Sequence, residues 1–485
     1  MSNRRLTPLI VACVGLLTAC VPTIIVEPVK GLEHCPAPDA IIDFADDALA
    51  VAVQEQLGLA SPDITCRALA RLRTFRARDA GISRLDGLEY AAYLTRLDLR
   101  GNAISDVGPI SHLPRLGRLD LLGNTMTDLS ALRTMPALTQ LELRRNQISD
   151  LTPLVDLTTL RHLDLRDNTI EDITPLEALD GLQHLALQNN QITSIRPLAG
   201  LTRLRYLALD GNQISDGGAL GLLVALETLS LRGNQLQDTS FLFLLTNVES
   251  LDLRSNAITD VSGLRELDNL TSLRLGRNQI TDISHLAGVT ALERLDLERN
   301  AITSIAALSD LISLVDVNLA RNNVRDLEAL RNLTSLQVLN LSTNDITDIT
   351  PLHHLTELTS LDLSRNQIVD VTPLESLSKL TRLTLARNQI TDITPLHQLT
   401  ELDRLDLARN QITDITPLAR LANLTTVDLA RNAVRDVEAL RHVEALASVD
   451  LDRNCLPEAV EDSVTLRELA ARGVDINIGA QSACD

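Results

Sequence analysis

The sequence predicts an α/β fold of one kind: a right-handed solenoid with a parallel sheet on its concave face and short 3-10 or irregular returns on its convex face. Three observations carry this. An Asn recurs every 22 residues from Asn102, Asn124 and Asn146 through to Asn454, seventeen times without a break. Aliphatic residues stand eight, five and three places before each Asn, as Leu358, Leu361 and Leu363 do before Asn366. A unit of 22 residues cannot bury its own leucines, so neighbours must stack into one continuous core.

Within the unit, the alternation of Leu361 and Leu363 describes a short strand with one face inward. The Asn amide sits where the chain turns and can pair backbone groups that would otherwise be buried alone. Pro373 and Leu374 suit a short return rather than a long helix. The resulting pattern, LxxLxLxxNxIxDIxPL, resembles the leucine-rich repeat, and its Asp-Ile-x-Pro-Leu tail is similar to the internalin subtype. The resemblance implies seventeen parallel strands, a sheet about 80 Å long at roughly 4.8 Å per strand.

In chain order, residues 1–19 open with Arg4 and Arg5, then an apolar run from Leu6 to Leu17 too short for a usual membrane span. Leu17-Thr18-Ala19-Cys20 resembles a bacterial lipobox, which implies removal of residues 1–19 as a lipoprotein signal peptide and lipidation of Cys20. An ordinary signal peptide with an incidental Cys is the plainer alternative. Residues 20–34, with Pro22 and Pro28, read as a tether. Residues 35–93 form an N-terminal cap. Asp46 or Asp47 caps a helix carrying Leu49, Val53 and Leu57 on one face, Gly58 ends it, and a degenerate first repeat follows with Ala80 in place of Asn. This cap also resembles that of bacterial internalin-like lipoproteins. Residues 94–454 are the seventeen repeats. Residues 455–485 are the C-terminal cap, where Thr465 to Glu468 fit a capping box, Gly473 is the stop, and Val474, Ile476 and Ile478 alternate as a last strand.

Four cysteines of the mature chain lie outside the repeats, two at each end, and export permits disulfides. The ends of a long solenoid lie far beyond the roughly 7 Å limit between bridged Cα atoms, so Cys35 pairs with Cys66 and Cys455 with Cys484. The formal charge of −20 argues against nucleic acid or an anionic membrane surface as partner.

Strand alternation places the residues six, four and two before each Asn on the concave face. The row four before reads as an acidic ladder, Asp98, Asp120, Glu142 and Asp164 early and Asp406, Asp428 and Asp450 late. Like charges on adjacent rungs call for cations. Arg100, Arg144, Arg166 and Arg254 are expected to supply them early, and Arg299, Arg365, Arg409, Arg431 and Arg453 late. Calcium bridging the late rungs is the sharper alternative, although single-file carboxylates beside arginines make a poor cage. The Asp four places after the Asn recurs in 14 of the first 16 repeats, a regularity that points to a turn rather than a site.

The ladder breaks at Ala186, Ala208 and Ser230. Beside the break stand His162, His184 and Tyr206, surrounded by Asp164, Arg166, Gln188, Asp210 and Arg232. Aromatic and Arg side chains anchor protein interfaces, so these eight are the candidate partner-binding residues. Two histidines without a third ligand make a weaker case for a metal. In the repeats of Asn212 and Asn234 the convex segments GGALGLLVAL and TSFLFLLTNV are unusually apolar, and Phe241 and Phe243 are expected to pack under the return. No catalytic set, nucleotide loop or zinc motif is present, so neither an enzyme nor a cofactor is expected.

The resemblance thus implies a monomeric, lipid-anchored bacterial envelope protein, at the outer membrane or cell surface, that presents its concave face to a protein or glycan. The alternatives are a structural envelope component without a discrete ligand, and a regulatory repeat subunit of the phosphatase-regulator type.

Overall fold

The computed structural model describes residue 35, residues 37–456 and residues 463–481. Residues 1–34, with the expected signal segment, Cys20 and the tether, lie outside the described residues, as does Cys484. Nineteen parallel strands of three residues pair in chain order, from β1 (Thr74–Arg76) to β19 (Asp475–Asn477). The register is one repeat throughout the array, as with Leu361 opposite Leu383. The count exceeds seventeen because each cap adds a strand. The degenerate first repeat supplies β1, with Phe75 fully buried, and the C-terminal cap lays β19 on β18 (Ser448–Asp450). Short 3-10 turns such as Thr372–Leu374 form the other side, and one aliphatic core runs from Ile42 to Val474. Pro373 stands in the first turn of its 3-10 segment, where a missing N–H leaves no bond unmade.

The Asn row staples each coil to the one before it. Asn366 Nδ2 donates to Leu363 O and Leu341 O, both at 3.0 Å, while its Oδ1 accepts from Ile346 N at 3.1 Å. Asn322 and Asn410 repeat the pattern. Asn102 does more, accepting from both Ala80 N and Ile82 N and so completing the repeat that lacks its own Asn.

The residue just before each Asn is left-handed in all seventeen coils, with φ between 53° and 68°. Glycine fills the position in four coils and arginine in nine. For a non-glycine residue this conformation costs about 1 kcal/mol, and the sheet and Asn row together impose it. The Asp four places after the Asn closes the next turn, as Asp370 Oδ1 accepts from Thr372 N at 2.8 Å and Asp392 Oδ1 from Thr394 N at 2.8 Å.

At the N-terminal end, helix α1 (Asp47–Leu57) is capped by Asp46, whose Oδ1 accepts from Leu49 N, and is ended by left-handed Gly58. Asp46 Oδ2 also accepts from Ser83 N and Arg84 N, tying the cap to the first repeat. Cys35 and Cys66 are disulfide-bonded, with Cα atoms 6.1 Å apart. At the other end, Cys455 is disulfide-bonded too. The C-terminal helix, Val464–Ala471, starts two residues earlier than the expected capping box. Ser463 is its N-cap and accepts from Leu466 N, Thr465 is buried inside the helix, and Glu468 pairs with Arg441 at 2.7 Å instead of reaching back.

Candidate functional site

Five adjacent strands build the site: β4 (Gln140–Glu142), β5 (His162–Asp164), β6 (His184–Ala186), β7 (Tyr206–Ala208) and β8 (Thr228–Ser230). Their register sets His162, His184 and Tyr206 side by side. The three rings form a continuous stack, with centroids 4.0 Å apart and planes 18° apart at the first step and 4.0 Å and 2° at the second. Ala186 and Ala208 lie on the same face two residues on, and each is only 1% exposed. Asp164 holds the equivalent position beside His162, so the alanines accompany the second and third rings only. The break in the acidic ladder at Ala186 and Ala208 thus coincides with the second and third rings of the stack.

Charge is distributed unevenly along the stack. His162 Nε2 lies 3.0 Å from Glu142 Oε1, and Gln140 Nε2 donates to the same oxygen at 2.8 Å. Burial opposes ionisation of Glu142, but the bonds from His162 and Gln140 prevail and hold its carboxyl down at about 2. His184 is lowered to about 4, first by burial and then by His162 beside it, so its ring is neutral at neutral pH. His184 Nδ1 is buried and has no hydrogen-bond partner among the described residues.

Arg166 grips Asp164 through Nε at 2.9 Å to both carboxylate oxygens, with a further contact from Nη2, and Asp164 is 1% exposed. The other three predicted residues, Gln188, Asp210 and Arg232, fall together with Arg166. Arg166, Gln188, Asp210 and Arg232 line a polar groove of about 490 Å3 beyond the ring stack. Arg144, Asp167, Asn189, Gly211 and Gly233 complete its wall. Asp210 is raised by burial, against the bonds it accepts from the Ser230 hydroxyl and from Arg232 N at 2.8 Å. Sequence reasoning missed Glu142, Asn189 and the two glycines as parts of this neighbourhood. Their signal was available: glycine replaces a side chain at the left-handed position in Gly211 and Gly233.

The acidic ladder is only partly neutralised as expected. Arg100 reaches Asp120 at 2.7 Å and Arg254 reaches Asp252 at 3.0 Å, but Arg144 turns to Asp167 at 2.8 Å. None of Arg299, Arg365, Arg409, Arg431 and Arg453 pairs with a ladder carboxylate among the described residues; Arg453 pairs with Asp452. All five occupy the left-handed position, which directs them away from the rungs. The late rungs serve the backbone instead. Asp406 Oδ1 accepts from Ala408 N at 3.0 Å and Asp428 Oδ1 from Ala430 N at 2.9 Å, and Asn318 and Asn340 make the same bond where no charge is present. Burial first, and neighbouring carboxylates second, push Asp406 and Asp428 up despite those bonds. Among the described residues, no group of three or more His, Cys, Asp or Glu is placed to hold a metal ion.

On the convex side the two phenylalanines separate. Phe241 is buried at 9% exposure, as expected, whereas Phe243 is 46% exposed with the Arg265 guanidinium 5.8 Å from its ring centre. The 3-10 turn ends at Leu242 and turns the next side chain outward. A larger cleft of about 660 Å3 near Thr350, His353 and Pro373 is the gap between successive returns of near-identical sequence.

Comparison with known proteins agrees with this architecture. Two family profiles match, one described as leucine rich repeats in two copies, over 135–179, 224–266, 246–288, 268–310, 334–376, 378–420 and 400–442, and one as leucine rich repeat, over 92–148 and 158–214. No curated protein matches the chain. Among solved structures, an internalin (inlF) of Listeria monocytogenes is 28% identical over 84% of this chain and 95% of its own, with a TM-score of 0.50. A leucine-rich repeat protein of Leptospira interrogans is 26% identical over 79% of this chain and 97% of its own, with a TM-score of 0.67. A plant peptide hormone receptor, RGFR1 in complex with RGF2, shares the fold at 17% identity over 85% of this chain and 81% of its own, with a TM-score of 0.63. With the repeat profiles covering most of the array and the Asn row and parallel sheet in place, the chain belongs to the leucine-rich repeat proteins.

Proposed function

We propose that this is a bacterial envelope protein, lipid-anchored through Cys20 at the outer membrane or cell surface, that captures a protein partner as a monomer on its concave face. The observation that carries the recognition reading is the His162, His184 and Tyr206 stack, an aromatic cluster on an otherwise polar, aliphatic-cored scaffold. Stacked rings are held at small entropic cost, which suits an interface anchor. The lipobox-like Leu17 to Cys20 supports the anchor, and the paired cysteines support export. Binding rather than catalysis fits a surface on which Glu142, Asp164 and Arg166 are already tied to neighbouring side chains.

The test is a crosslinking pull-down from intact cells, with and without surface protease, on the full chain and on a variant with alanine at Tyr206 and His184. Capture by the parent, loss in the variant and sensitivity to protease are expected. Undiminished capture by the variant removes the stack from the interface. Protection from protease contradicts surface display, and an empty pull-down from the parent favours a structural envelope component.

A further inference from the structure

The groove beyond the ring stack is balanced in charge yet unbalanced in hydrogen bonds. Arg144, Arg166 and Arg232 line it with two carboxylates, Asp167 and Asp210, and the buried Asp164, outside the lining, supplies the third negative charge through Arg166. Arg144 and Arg166 are engaged by Asp167 and Asp164. The Arg232 guanidinium makes no hydrogen bond or ion pair among the described residues, although its own backbone N–H binds Asp210. Both bonds that Asp210 accepts fall on Oδ1, so Oδ2 accepts none among the described residues. Gln188 Oε1 is buried and has no partner either. An array of unused donors and acceptors with no net charge selects a neutral ligand that both donates and accepts, and hydroxyl groups do both.

The floor is opened by glycine. Gly211 and Gly233 occupy the left-handed position at φ 65° and 68°, and that conformation alone does not demand glycine here, since arginine adopts it in nine other coils. Absence of a side chain at these two neighbouring coils keeps the groove clear. A Cβ built on Gly233 would meet nothing nearer than 3.6 Å, so the backbone has room for a side chain that the sequence does not supply.

We propose that this groove is a subsite for an uncharged sugar ring, whose hydroxyls accept from Arg232 and donate to Asp210 Oδ2 and Gln188 Oε1. The inference rests on the concave face being a binding surface, but not on the ring stack being its anchor. The probes are the methyl glycosides of glucose, galactose, mannose and N-acetylglucosamine, titrated calorimetrically into the intact protein, into G233R, and into G123R as control. Gly123 shares the left-handed turn, has its nearest neighbours at 3.8 Å, and lies outside the groove, so both variants place an arginine where the fold already hosts one. At least one glycoside is expected to bind in the millimolar range, to weaken by about tenfold or more in G233R, and to be unchanged in G123R. Failure of every glycoside to bind overturns the proposal. So does binding that survives G233R, or tighter binding of sulfate or methyl glucuronide than of the neutral sugars, which would mark an anion site. Competition of the glycoside with partner capture shows a sugar carried by the partner, and binding without competition shows a separate polysaccharide. Loss of capture in the Tyr206 and His184 variant while no glycoside binds leaves the recognition site standing and removes only the sugar.

Discussion

Replacing Asn366 with Ala removes a side chain that two coils share. Ile346 N, 3.1 Å from Oδ1, loses its one partner among the described residues, while Leu341 O and Leu363 O, each 3.0 Å from Nδ2, lose one bond of two and keep those from Asn344 Nδ2 and Asn388 Nδ2. No neighbouring side chain replaces the acceptor at Ile346 N, because the apolar residues around it are leucine and isoleucine packed to 0–1% exposure. At about 1–3 kcal/mol for the buried N–H left unpaired, and about 0.5–1 kcal/mol for each carbonyl that loses one of its two bonds, the expected loss is about 2–5 kcal/mol. In a solenoid the damage stays local, because each coil touches only its neighbours. Amide hydrogen exchange reads this directly. Exchange at Ile346 should accelerate by about thirtyfold or more, since 1.4 kcal/mol is a factor of ten, while exchange at Leu165 is unaffected. Acceleration at Ile346 of less than about threefold would show that the Asn row is not what holds adjacent coils together, and the account of it as a staple would fail.

Two other predictions concern side chains of unlike burial. Phe241→Ala should cost about 3–5 kcal/mol in urea unfolding and Phe243→Ala under about 1 kcal/mol, because one ring is enclosed and the other is half exposed. Equal costs would refute the separation of the pair. His184 is held near 4 when folded against an ordinary value of 6.5, so the unfolded chain takes up its proton first and stability falls as pH drops from 6.5 towards 4. At pH 5 the shift would amount to about 2 kcal/mol for a sealed site, and about 1 kcal/mol after solvent screening of a half-buried ring. Urea unfolding at pH 7 and pH 5 should show this difference in the parent and lose it in His184→Phe; an identical pH response in both would exclude His184 as its source.

Much of the concave face was legible before any coordinates. Because the strand period is two and the repeat is constant, a residue's distance from its Asn states which face it is on, and His162, His184 and Tyr206 fall on adjacent rungs by arithmetic alone. That the three rings stack, and that Ala186 and Ala208 are buried beside them, needed three dimensions. So did the division of the eight candidates into a ring stack, an Arg166 and Asp164 pair, and a groove. The late arginines were misjudged for a local reason: the left-handed residue before each Asn points its side chain off the sheet, and a sequence rich in arginine at that position gives no hint of positive φ.

By itself the sequence determined the coil. Seventeen Asn residues at one spacing, with leucines at fixed offsets, admit a single register, because a slip of one residue would turn every leucine outward and leave every Asn without its carbonyls. The tertiary structure alone decided which polar groups were consumed. Hydrogen bonds between coils join residues 20 to 25 positions apart, and whether a carboxylate meets an arginine, a backbone N–H or nothing depends on ångström differences that periodicity does not carry. The groups left over, at His184, Gln188, Asp210 and Arg232, carry polar atoms that find no partner among the described residues.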